Sequence, residues 1–450
     1  MSVNNDSLTS LNLLKIQSGL FGNVGDFWNI HVPQNIEAET ELRELSAAEN
    51  YIIGAQSSKP SVCIVQDPLL AAYLMTKSKQ TVTKEEFFDI ALKTHLTTNQ
   101  IIKKINHIRK VLKSKGRKAQ SFNGKGIISL ILPDDLNYEK KNDKHPREKK
   151  VVIHRGVLIK GALDKSILGK SYNGLIQVIN KEYGKKEAVR FIDNIQFVCN
   201  AWLLVHGFSV GLKDCLVQGK KQTQEIEDVL RKCYIEAEHI KSTTSHEGIK
   251  EMRISAALSK ARDIGLRIAK ESLSEDNNFL QTVNSGSKGD FFNIAQITGL
   301  LGQQNLQGSR VKYQLNNGRR SLPHYPFNKL KLEQEYESKG FISSSFIKGL
   351  NPREFYFHAM SGREGVCDTA MNTAKSGYIQ RRIVKLTEDL KVQYDGTVRD
   401  SINRIFEFSY GDEGLDPTKT VKVQGSQEVC DISRLVDKLN TKYETSSKKK

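Results

Sequence analysis

The chain has 450 residues, of which 38% are hydrophobic and 26% are charged, so it is long enough for several domains and a sizeable buried core. No apolar run approaches the roughly eighteen residues of a membrane helix, and the start, MSVNNDSLTSLNLLKIQ, lacks the basic and apolar blocks of a secretory signal. We therefore expect a soluble intracellular protein with no membrane partner. Lys and Arg outnumber Asp and Glu by 68 to 51, and this net charge of +17 indicates a polyanionic partner, most often nucleic acid.

The first distinctive segment, SGLFGNVGDFWNIHVPQ at 18–34, spaces three glycines three residues apart and contains one carboxylate, Asp26. A phosphate-binding P-loop needs Lys and then Ser or Thr after the glycine, and neither is present. A single carboxylate is also too little for a hard divalent cation, which needs several oxygen ligands. An independent metal-dependent nuclease built on Asp26 is therefore the weakest functional candidate.

Three basic runs carry much of the charge surplus, and the six cysteines carry no recognisable motif. Each basic run alone fits a solvated face or a linker, but together they favour a nucleic-acid partner. The cysteines are far apart with no Cys-x-x-Cys pair, which argues against a zinc site and against a disulfide framework. The basic runs are KKINHIRKVLKSKGRK at 103–118, EKKNDKHPREKK at 139–150 and the terminal KKK.

The predicted elements alternate between helical and β-rich segments. Thr83 to Glu86 is a capping box that starts a helix, and a second amphipathic helix places four apolar residues on one face. The runs IISLILP (127–133) and VVIHRGVLI (151–159) are predicted to be β-rich, the second with a turn at Arg155-Gly156 and with a polar surface loop at 139–150 before it. The apolar residues of the second helix are Ile101, Ile105, Ile108 and Leu112.

Two helical tracts follow. Residues 222–272 are predicted to be a pair of helices broken near STTSHEG at 242–248, because Ser, Thr and Gly cluster there. The segment NSGSKGDFFNIAQ at 284–296 is typical of a glycine-hinged turn that opens a helix. Beyond about Gly414 the hydrophobic periodicity is weak, which predicts a poorly ordered tail.

The most informative tract is residues 351–390, NPREFYFHAMSGREGVCDTAMNTAKSGYIQRRIVKLTEDL. Asn351 is a suitable N-cap, Pro352 suits the first helical position, and Glu354 stands where a capping carboxylate would. The pattern predicts one helix over about 352–390. At about 1.5 Å per residue, such a helix would span on the order of 55 to 60 Å and could cross a whole domain.

Three glycines, Gly362, Gly365 and Gly377, lie inside this tract, and each costs a helix roughly 1 kcal/mol relative to alanine. Either they mark loops that divide the tract into short helices, or close approach or bending compensates for their cost. Basic side chains interleaved with an aromatic ring on one helix face favour the single helix, since such a face can neutralise phosphates and stack on a base. This face comprises Lys375, Tyr378, Arg382 and Lys385, with Arg381 beside it.

The tract resembles the bridge helix of the largest subunit of multisubunit DNA-directed RNA polymerases, most closely the RNA polymerase II type. LNPREFYFHAMSGREGVCDTAMNTAKSGYIQRRIVKLTEDLKVQYDGTVR, residues 350–399, is similar to that family almost position by position. Several upstream segments match in a consistent order, so the resemblance covers roughly Asn29 to Asp416. They are AQSSKPSVCIVQD beside the active centre, KSYNGLIQVI and WLLVHGFSVGLKD in the pore, SGSKGDFFNIAQ and GLLGQQNLQGSRV in the funnel, and SLPHY with ESKGFISSSFIKGL at the opening of the cleft.

The resemblance implies an α+β, predominantly helical, multi-domain fragment. Its pore region would be mixed α/β, its funnel helical, and one long bridge helix would follow. The implied order is a leader with the remnant of an active-site loop at 1–40, a pore domain at 41–215, a funnel domain at 216–318, the start of the cleft domain at 319–415 with the bridge helix at about 352–390, and a weakly structured tail at 416–450.

The family's functional positions can be carried over by match. Those near the template base would be Thr373, Ala374 and Tyr378, and those near nucleic-acid phosphates would be Arg381 and Arg382. Lys288 would line the pore through which nucleoside triphosphates enter. The hinge glycines Gly362, Gly365 and Gly377 would permit bending and close packing. Asn372 departs from the family, which usually has Lys at this position, so one expected cation is missing.

The family also explains the stretch at 18–34. In that family, a loop with three aspartates precedes the counterpart of NIHVPQ and holds the catalytic Mg²⁺. This ion aligns the attacking 3′-hydroxyl with the α-phosphate. Counting back from Asn29, these positions fall on Gly22, Val24 and Asp26. Only Asp26 is left, as a remnant. Mg²⁺ is therefore expected in the assembled enzyme and not on this chain alone, which has no complete catalytic set.

The leading hypothesis is a split largest subunit, of the kind found in large DNA viruses, that contributes pore, funnel and bridge helix to template-directed RNA synthesis. The family's clamp and trigger loop lie outside the matched part, so we expect the chain to be inactive alone. Its expected partners are the remaining largest-subunit fragments, the second-largest subunit, DNA template, RNA and nucleoside triphosphates, in the host nucleus or cytoplasm or in the virion. The alternative is a non-enzymatic nucleic-acid-binding or polymerase-regulating protein derived from that subunit.

Overall fold

The computed structural model is α+β and predominantly helical, as predicted, with small antiparallel sheets between the helices. It describes residues 32–77, 82–116, 122–141, 150–216, 220–274, 276–326, 330–411, 414, 416–423 and 425–447. Along the chain, a helical body comes first, a second body that begins with a helical hairpin comes next, and one very long helix follows. This order determines where each candidate functional residue lies.

The first body, residues 36–215, is built around buried helices and one three-stranded sheet. Helix α2 (Gln66–Thr76) is apolar on all sides and buries every residue from Pro68 to Thr76, because α5 (Gly124–Ile131), α8 (Lys185–His206) and α12 (Asn278–Ser285) cover it. The elements are α1 (Ile36–Glu44), a 3₁₀ turn (Ala48–Tyr51), α2 (Gln66–Thr76), α3 (Lys84–Ala91), α4 (Thr98–Ser114), α5 (Gly124–Ile131), β1 (Tyr138–Lys141), β2 (Lys150–His154), β3 (Val157–Lys160), α6 (Lys165–Leu168), α7 (Leu175–Tyr183), α8 (Lys185–His206) and α9 (Leu212–Cys215).

Two local signals in this body are confirmed. Thr83 Oγ1 accepts a hydrogen bond from the backbone N–H of Glu86 at 3.2 Å, and the Glu86 carboxylate accepts one from the N–H of Thr83 at 3.0 Å, so the capping box forms. Arg155 and Gly156 have φ values of 49° and 70°, and they turn β2 into β3. Positive φ at both central residues is the requirement of a tight hairpin turn.

The prediction that IISLILP is β-rich is wrong. Residues 124–131 form α5, which starts where Asn123 Oδ1 accepts a hydrogen bond from the N–H of Gly126 at 2.7 Å. A Cβ on Gly124 would lie 1.9 Å from the carbonyl oxygen of Met75, so this glycine lets α5 lie directly on α2. The predicted polar loop at 139–150 is also wrong at its ends, since 138–141 and 150–154 pair as antiparallel strands; residues 142–149 lie outside the described part.

The second body begins with a helical hairpin. Helices α10 and α11 are separated near 244–246, which confirms the predicted break at 242–248, and Leu230, Tyr234 and Leu258 belong to the core between them. The elements are α10 (Lys220–Thr243), α11 (Glu247–Ser272), α12 (Asn278–Ser285), α13 (Phe291–Thr298), β4 (Gly302–Gln303), β5 (Asn305–Leu306), β6 (Ser309–Arg310), α14 (Leu332–Ser338) and β7 (Phe341–Ile342).

The third part contains the long helix and a tail that folds back on the first body. The predicted weakly structured tail is wrong for most of its length, because 421–423 and 426–428 pair as antiparallel strands and 432–447 form a helix. The Arg434 guanidinium bonds the Glu182 carboxylate and, at 3.0 Å, the carbonyl oxygen of Asn137. The elements are α15 (Pro352–Thr387), β8 (Lys391–Val392), β9 (Val398–Arg399), β10 (Ile405–Glu407), β11 (Val421–Val423), β12 (Ser426–Glu428) and α16 (Ile432–Ser447).

Candidate nucleic-acid interface

Helix α15 begins with the predicted cap. Asn351 Oδ1 accepts a hydrogen bond from the N–H of Glu354 at 2.9 Å, and the Glu354 carboxylate accepts one from the N–H of Asn351 at 3.1 Å. Pro352 occupies the first turn, where its missing N–H has no cost. The reciprocal cap fixes the direction in which the helix leaves the second body.

The first three turns of α15 are anchored by burial and by polar contacts. Phe357 is 1% exposed and packs with Val311, Leu322 and Tyr325. The Arg353 guanidinium lies 3.1 Å from the Glu337 carboxylate, and the Glu364 carboxylate accepts a hydrogen bond from the N–H of Gln307 at 2.7 Å. These contacts hold the N-terminal part of the helix on residues 305–325 and on α14.

Beyond Glu364 no other described part of the chain covers the helix, and every residue from 365 to 389 is exposed. At about 1.5 Å per residue, the helical part of this stretch is about 34 Å long. Isolated helices are marginal in water, and a helix with apolar residues on several sides is normally buried, so this surface has the character of an interface. Its apolar residues, each more than half exposed, are Val366, Met371, Tyr378, Ile379, Ile383, Val384 and Leu386.

The residues predicted to lie near the template base and near phosphates form one continuous patch on this exposed half. Ala374 lies one turn before Tyr378, and Arg381 and Arg382 lie one turn after it, so all four are neighbours on the helix surface. The Arg382 guanidinium lies 5.8 Å from the centre of the Tyr378 ring. A planar cation and an aromatic ring are therefore presented together, which suits phosphate and base contacts.

Two further residues of the patch make contacts within the helix. Thr373 Oγ1 donates a hydrogen bond to the carbonyl oxygen of Thr369 at 2.7 Å, which leaves its methyl group as its outward feature. The Lys385 ammonium lies 2.8 Å from the Glu388 carboxylate, so its charge is partly neutralised. Lys375 and Arg381, by contrast, have no acidic partner in the part of the chain that the structure describes.

The three hinge glycines lie in open space. A Cβ added to Gly362, Gly365 or Gly377 would have no atom within 4 Å, apart from the local backbone of the helix. The helix is continuous through all three, so the interpretation that loops divide this tract is wrong. No close packing at these glycines exists within the described chain, so any close approach must come from outside the described residues.

Lys288 lies in the second body, in the loop between α12 and α13, and its side chain is exposed. The flanking glycines Gly286 and Gly289 have φ values of 75° and 68°, and Asp290 caps α13 by accepting a hydrogen bond from the N–H of Asn293 at 3.1 Å. This confirms the predicted glycine-hinged turn that opens a helix. The turn presents the Lys288 ammonium at the surface.

A groove that the sequence did not predict runs along the anchored half of α15. Its volume is about 1010 Å³, and it lies between the helix and residues 306–324. Lys312, His324 and Arg363 line it and give it a basic character. Sequence reasoning missed it because its two walls are separate in the chain and meet through tertiary contacts such as the packing of Phe357 and the hydrogen bond between Glu364 and Gln307.

The predicted metal remnant cannot be placed, because Gly22, Val24 and Asp26 lie outside the described residues. Within the described ranges, no group of three or more His, Cys, Asp or Glu side chains could hold a metal ion. The described residues therefore do not fit a Mg²⁺ site, and no chemical step through a metal is derived for them.

The described part of the chain also contains no helix that is both long enough and apolar enough to cross a membrane.

Comparisons with known proteins agree with the resemblance. Three family models match in order: RNA polymerase Rpb1, domain 3, at 51–215; domain 4 at 232–342; and domain 5 at 349–437. The chain is 46% identical over 451 residues to the probable DNA-directed RNA polymerase II subunit RPB1 homolog of Invertebrate iridescent virus 6. The match covers 94% of this chain and 42% of that relative, so the chain spans less than half the relative's length.

Lys288 falls in the match to domain 4, and all of α15 falls in the match to domain 5. The relative is viral, in agreement with the viral source predicted from the sequence. The three matches and the one long relative identify the family. The chain belongs to the Rpb1 family, the largest subunits of DNA-directed RNA polymerases.

Proposed function

We propose that this chain forms part of the catalytic cleft of a multisubunit DNA-directed RNA polymerase, with α15 as the bridge helix that crosses it. The observation that carries the proposal is the exposure of every residue from 365 to 389 on a capped helix whose described packing contacts lie in its N-terminal part. A surface that is both apolar and basic needs a protein and a nucleic acid around it. The polymerase cleft provides both.

In this proposal the patch on α15 contacts the template strand. The Ala374 methyl and the Thr373 methyl give a shallow surface on which a flat base can lie, and the Tyr378 ring offers a stacking partner. Arg381 and Arg382 contact phosphates, since a guanidinium can form two parallel hydrogen bonds with phosphate oxygens. Asn372 adds no charge, so the phosphate contacts depend on the two arginines.

Lys288 serves a different step. Its exposed ammonium lies on a glycine-hinged turn in the funnel region, where a positive charge attracts the triphosphate of an incoming nucleotide. Because the contact is electrostatic, its contribution should appear in the rate of nucleotide binding and should weaken as salt rises. In this proposal the pore is the route by which nucleoside triphosphates enter, and nucleotidyl transfer occurs at the catalytic metal site.

The catalytic metal site and the remaining cleft walls are proposed to come from polypeptide outside the described residues. The partners are the rest of the largest subunit, the second-largest subunit, DNA template, RNA and nucleoside triphosphates, in the compartment where the host cell or virion carries out transcription. When bound, Mg²⁺ would supply alignment and charge neutralisation for nucleotidyl transfer. The described part of this chain would position the template strand and the incoming nucleotide.

The test is reconstitution of the native polymerase around an affinity-tagged copy of the full chain, followed by RNA extension on a template–primer scaffold. Tyr378→Ala should slow extension by about 5- to 150-fold, because base stacking contributes about 1–3 kcal/mol per base. Tyr394→Ala is the matched control, since Tyr394 is fully exposed just beyond the helix. Equal rates for both variants would contradict the assignment of α15.

The same purification separates the two functional hypotheses. A polymerase component should elute with the active fraction and be required for extension. Active polymerase that lacks this chain would instead support the non-enzymatic nucleic-acid-binding or regulatory protein.

A further inference from the structure

Helix α4 carries a second basic surface, on the first body and separate in sequence from α15. The helix buries one apolar face against α5 and β3, and its opposite face points to solvent. The buried residues recur at helical spacing, as expected of an amphipathic helix. They are Ile101, Ile105, Ile108 and Val111.

The solvent face is a stripe of amides and ammonium groups without a carboxylate. Its members alternate at spacings of four and three residues, so they follow one line along the helix, and all of them are exposed. At about 1.5 Å per residue, the stripe is about 21 Å long. We call it the α4 stripe, and its members are Asn99, Lys103, Asn106, Lys110 and Lys113.

The sequence around the stripe contains no acidic residue. The sequence has no Asp or Glu between Asp89 and Asp134. Asp134 lies 3.3 Å from the ammonium of Lys104, which is on the edge of the helix, so it pairs outside the stripe. An ordinary solvated helix alternates charge signs and gains from pairs four residues apart, whereas this face accumulates like charges. A polyanion would remove that repulsion.

The chemistry of the stripe favours the phosphate backbone of a duplex. Lysines act as point charges toward phosphates, and asparagine amides donate hydrogen bonds to phosphate oxygens. Single-strand binders add aromatic side chains on which bases stack, and the stripe has none. A straight helical line also suits a regular, stiff row of phosphates better than a flexible acidic peptide.

We infer that the α4 stripe is a sequence-independent binding site for double-stranded DNA, in addition to the proposed contacts on α15. The site lies in the match to domain 3, whereas the α15 patch lies in the match to domain 5. The inference does not require nucleotide incorporation, so it can hold or fail independently of the proposed polymerase role.

The test measures binding of the full chain to a fluorescent 20-base-pair duplex as salt is varied. Lys103→Gln/Lys110→Gln/Lys113→Gln should reduce the slope of log affinity against log salt by about 3, or about one per lost phosphate contact. Affinity near physiological salt should fall by about tenfold or more. Lys186→Gln/Lys213→Gln/Lys232→Gln is the matched control, because it removes the same charge from exposed lysines on α8, α9 and α10.

Each outcome decides the inference. A loss confined to the α4 variant, retained when Arg381 and Arg382 are also replaced by Ala, supports a separate duplex site. Equal losses of affinity and salt slope in the control variant would show that the effect comes from net charge alone and would overturn the inference. Tighter binding of a single strand of the same sequence, or of polyglutamate, would also overturn it. Circular dichroism of each variant verifies that the helices are intact.

Discussion

The guanidinium of Arg310 donates two hydrogen bonds to the Glu251 carboxylate, from Nε to Oε2 at 2.7 Å and from a terminal nitrogen to Oε1 at 2.8 Å. The Arg310 side chain is 5% exposed and that of Glu251 is 40% exposed. The pair joins β6 to α11, and the Lys339 ammonium lies 3.2 Å from the same carboxylate. Because Arg310 also lines the groove beside α15, this pair fixes one wall of that groove.

Acid should weaken this junction in a defined range. Burial alone would raise the pKa of Glu251, but the hydrogen bonds and charges of Arg310 and Lys339 outweigh it and lower the pKa from 4.5 to about 2. A carboxyl with a lowered folded-state pKa stabilises the fold above its unfolded pKa, and this contribution is lost as pH falls from about 4.5 to about 2. Chemical denaturation at several pH values measures it.

Glu251→Gln is the control for that titration. At pH 7 it should reduce the free energy of unfolding by about 2 kcal/mol, less than the roughly 3–5 kcal/mol of fully buried pairs because Glu251 is partly exposed. The difference between the wild type and the variant should shrink toward pH 2. A difference that stays constant with pH would show that the carboxylate charge is not responsible.

Substitutions at Gly377 can test the stability of α15 in the isolated chain separately from its contribution to extension by the assembled polymerase. Since nothing within 4 Å would meet a new Cβ, Gly377→Ala should stabilise α15 by up to about 1 kcal/mol and raise helicity. Gly377→Pro should break the helix at a cost of about 3 kcal/mol or more. Circular dichroism measures both effects, and extension assays of the reconstituted polymerase follow.

If another molecule packs on this glycine, Gly377→Ala should slow extension although it stabilises the helix. Unchanged extension by the alanine variant would exclude close packing there. Unchanged extension by the proline variant would contradict the bridge-helix assignment itself.

The arginines of the α15 patch should determine how binding depends on salt. Arg381→Ala/Arg382→Ala should reduce the slope of log affinity against log salt by about 2 for a template strand, since two phosphate contacts are lost. Arg231→Ala/Lys232→Ala on α10 removes the same charge from an exposed surface and should leave most of the slope intact. Equal slopes for the two variants would make Arg381 and Arg382 ordinary surface charges.

The docked tail depends on Arg434. Its guanidinium contacts Glu182, whose side chain is only 13% exposed, so Arg434→Ala leaves a largely buried carboxylate without its cation. We expect a loss of about 2 to 3 kcal/mol in the free energy of unfolding and faster hydrogen exchange over 420–441. Arg190→Ala is the control, because its pair with Glu187 has side chains that are 73% and 39% exposed, and it should cost at most about 1 kcal/mol. Unaltered exchange in the Arg434 variant would mean that other contacts hold the tail.

Local chemistry made several elements predictable. The caps at Thr83 and Asn351 and the turn at Arg155-Gly156 each depend on residues adjacent in the chain, and all three form as expected. The prediction that the run at 127–133 is β-rich is wrong, because a short apolar run fits a buried strand and a buried helix equally well. Its helix is selected by the Asn123 cap and by contact of Gly124 with Met75, which is distant in sequence.

The candidate site was also predictable where it depends on local spacing, whereas the docked tail, which depends on distant contacts, was not. The α15 patch follows from helical spacing, because its members lie within ten residues of one another. The tail was missed since its stability comes from Arg434 and Lys438 reaching residues of the first body more than two hundred positions earlier. Contacts of that kind leave no periodic pattern in the local sequence.

The return of the tail gives α15 two attachments. Asn351 starts the helix on the second body, and the polypeptide comes back to the first body at Thr420, beside Ser58 and Gln177. The segment from Asn351 to Thr420, which contains α15, is therefore attached to the folded bodies at both of its ends. A single proteolytic cut in the exposed half of α15 should leave both fragments associated, so that the nicked molecule elutes from a sizing column as one particle and separates into two bands only after denaturation.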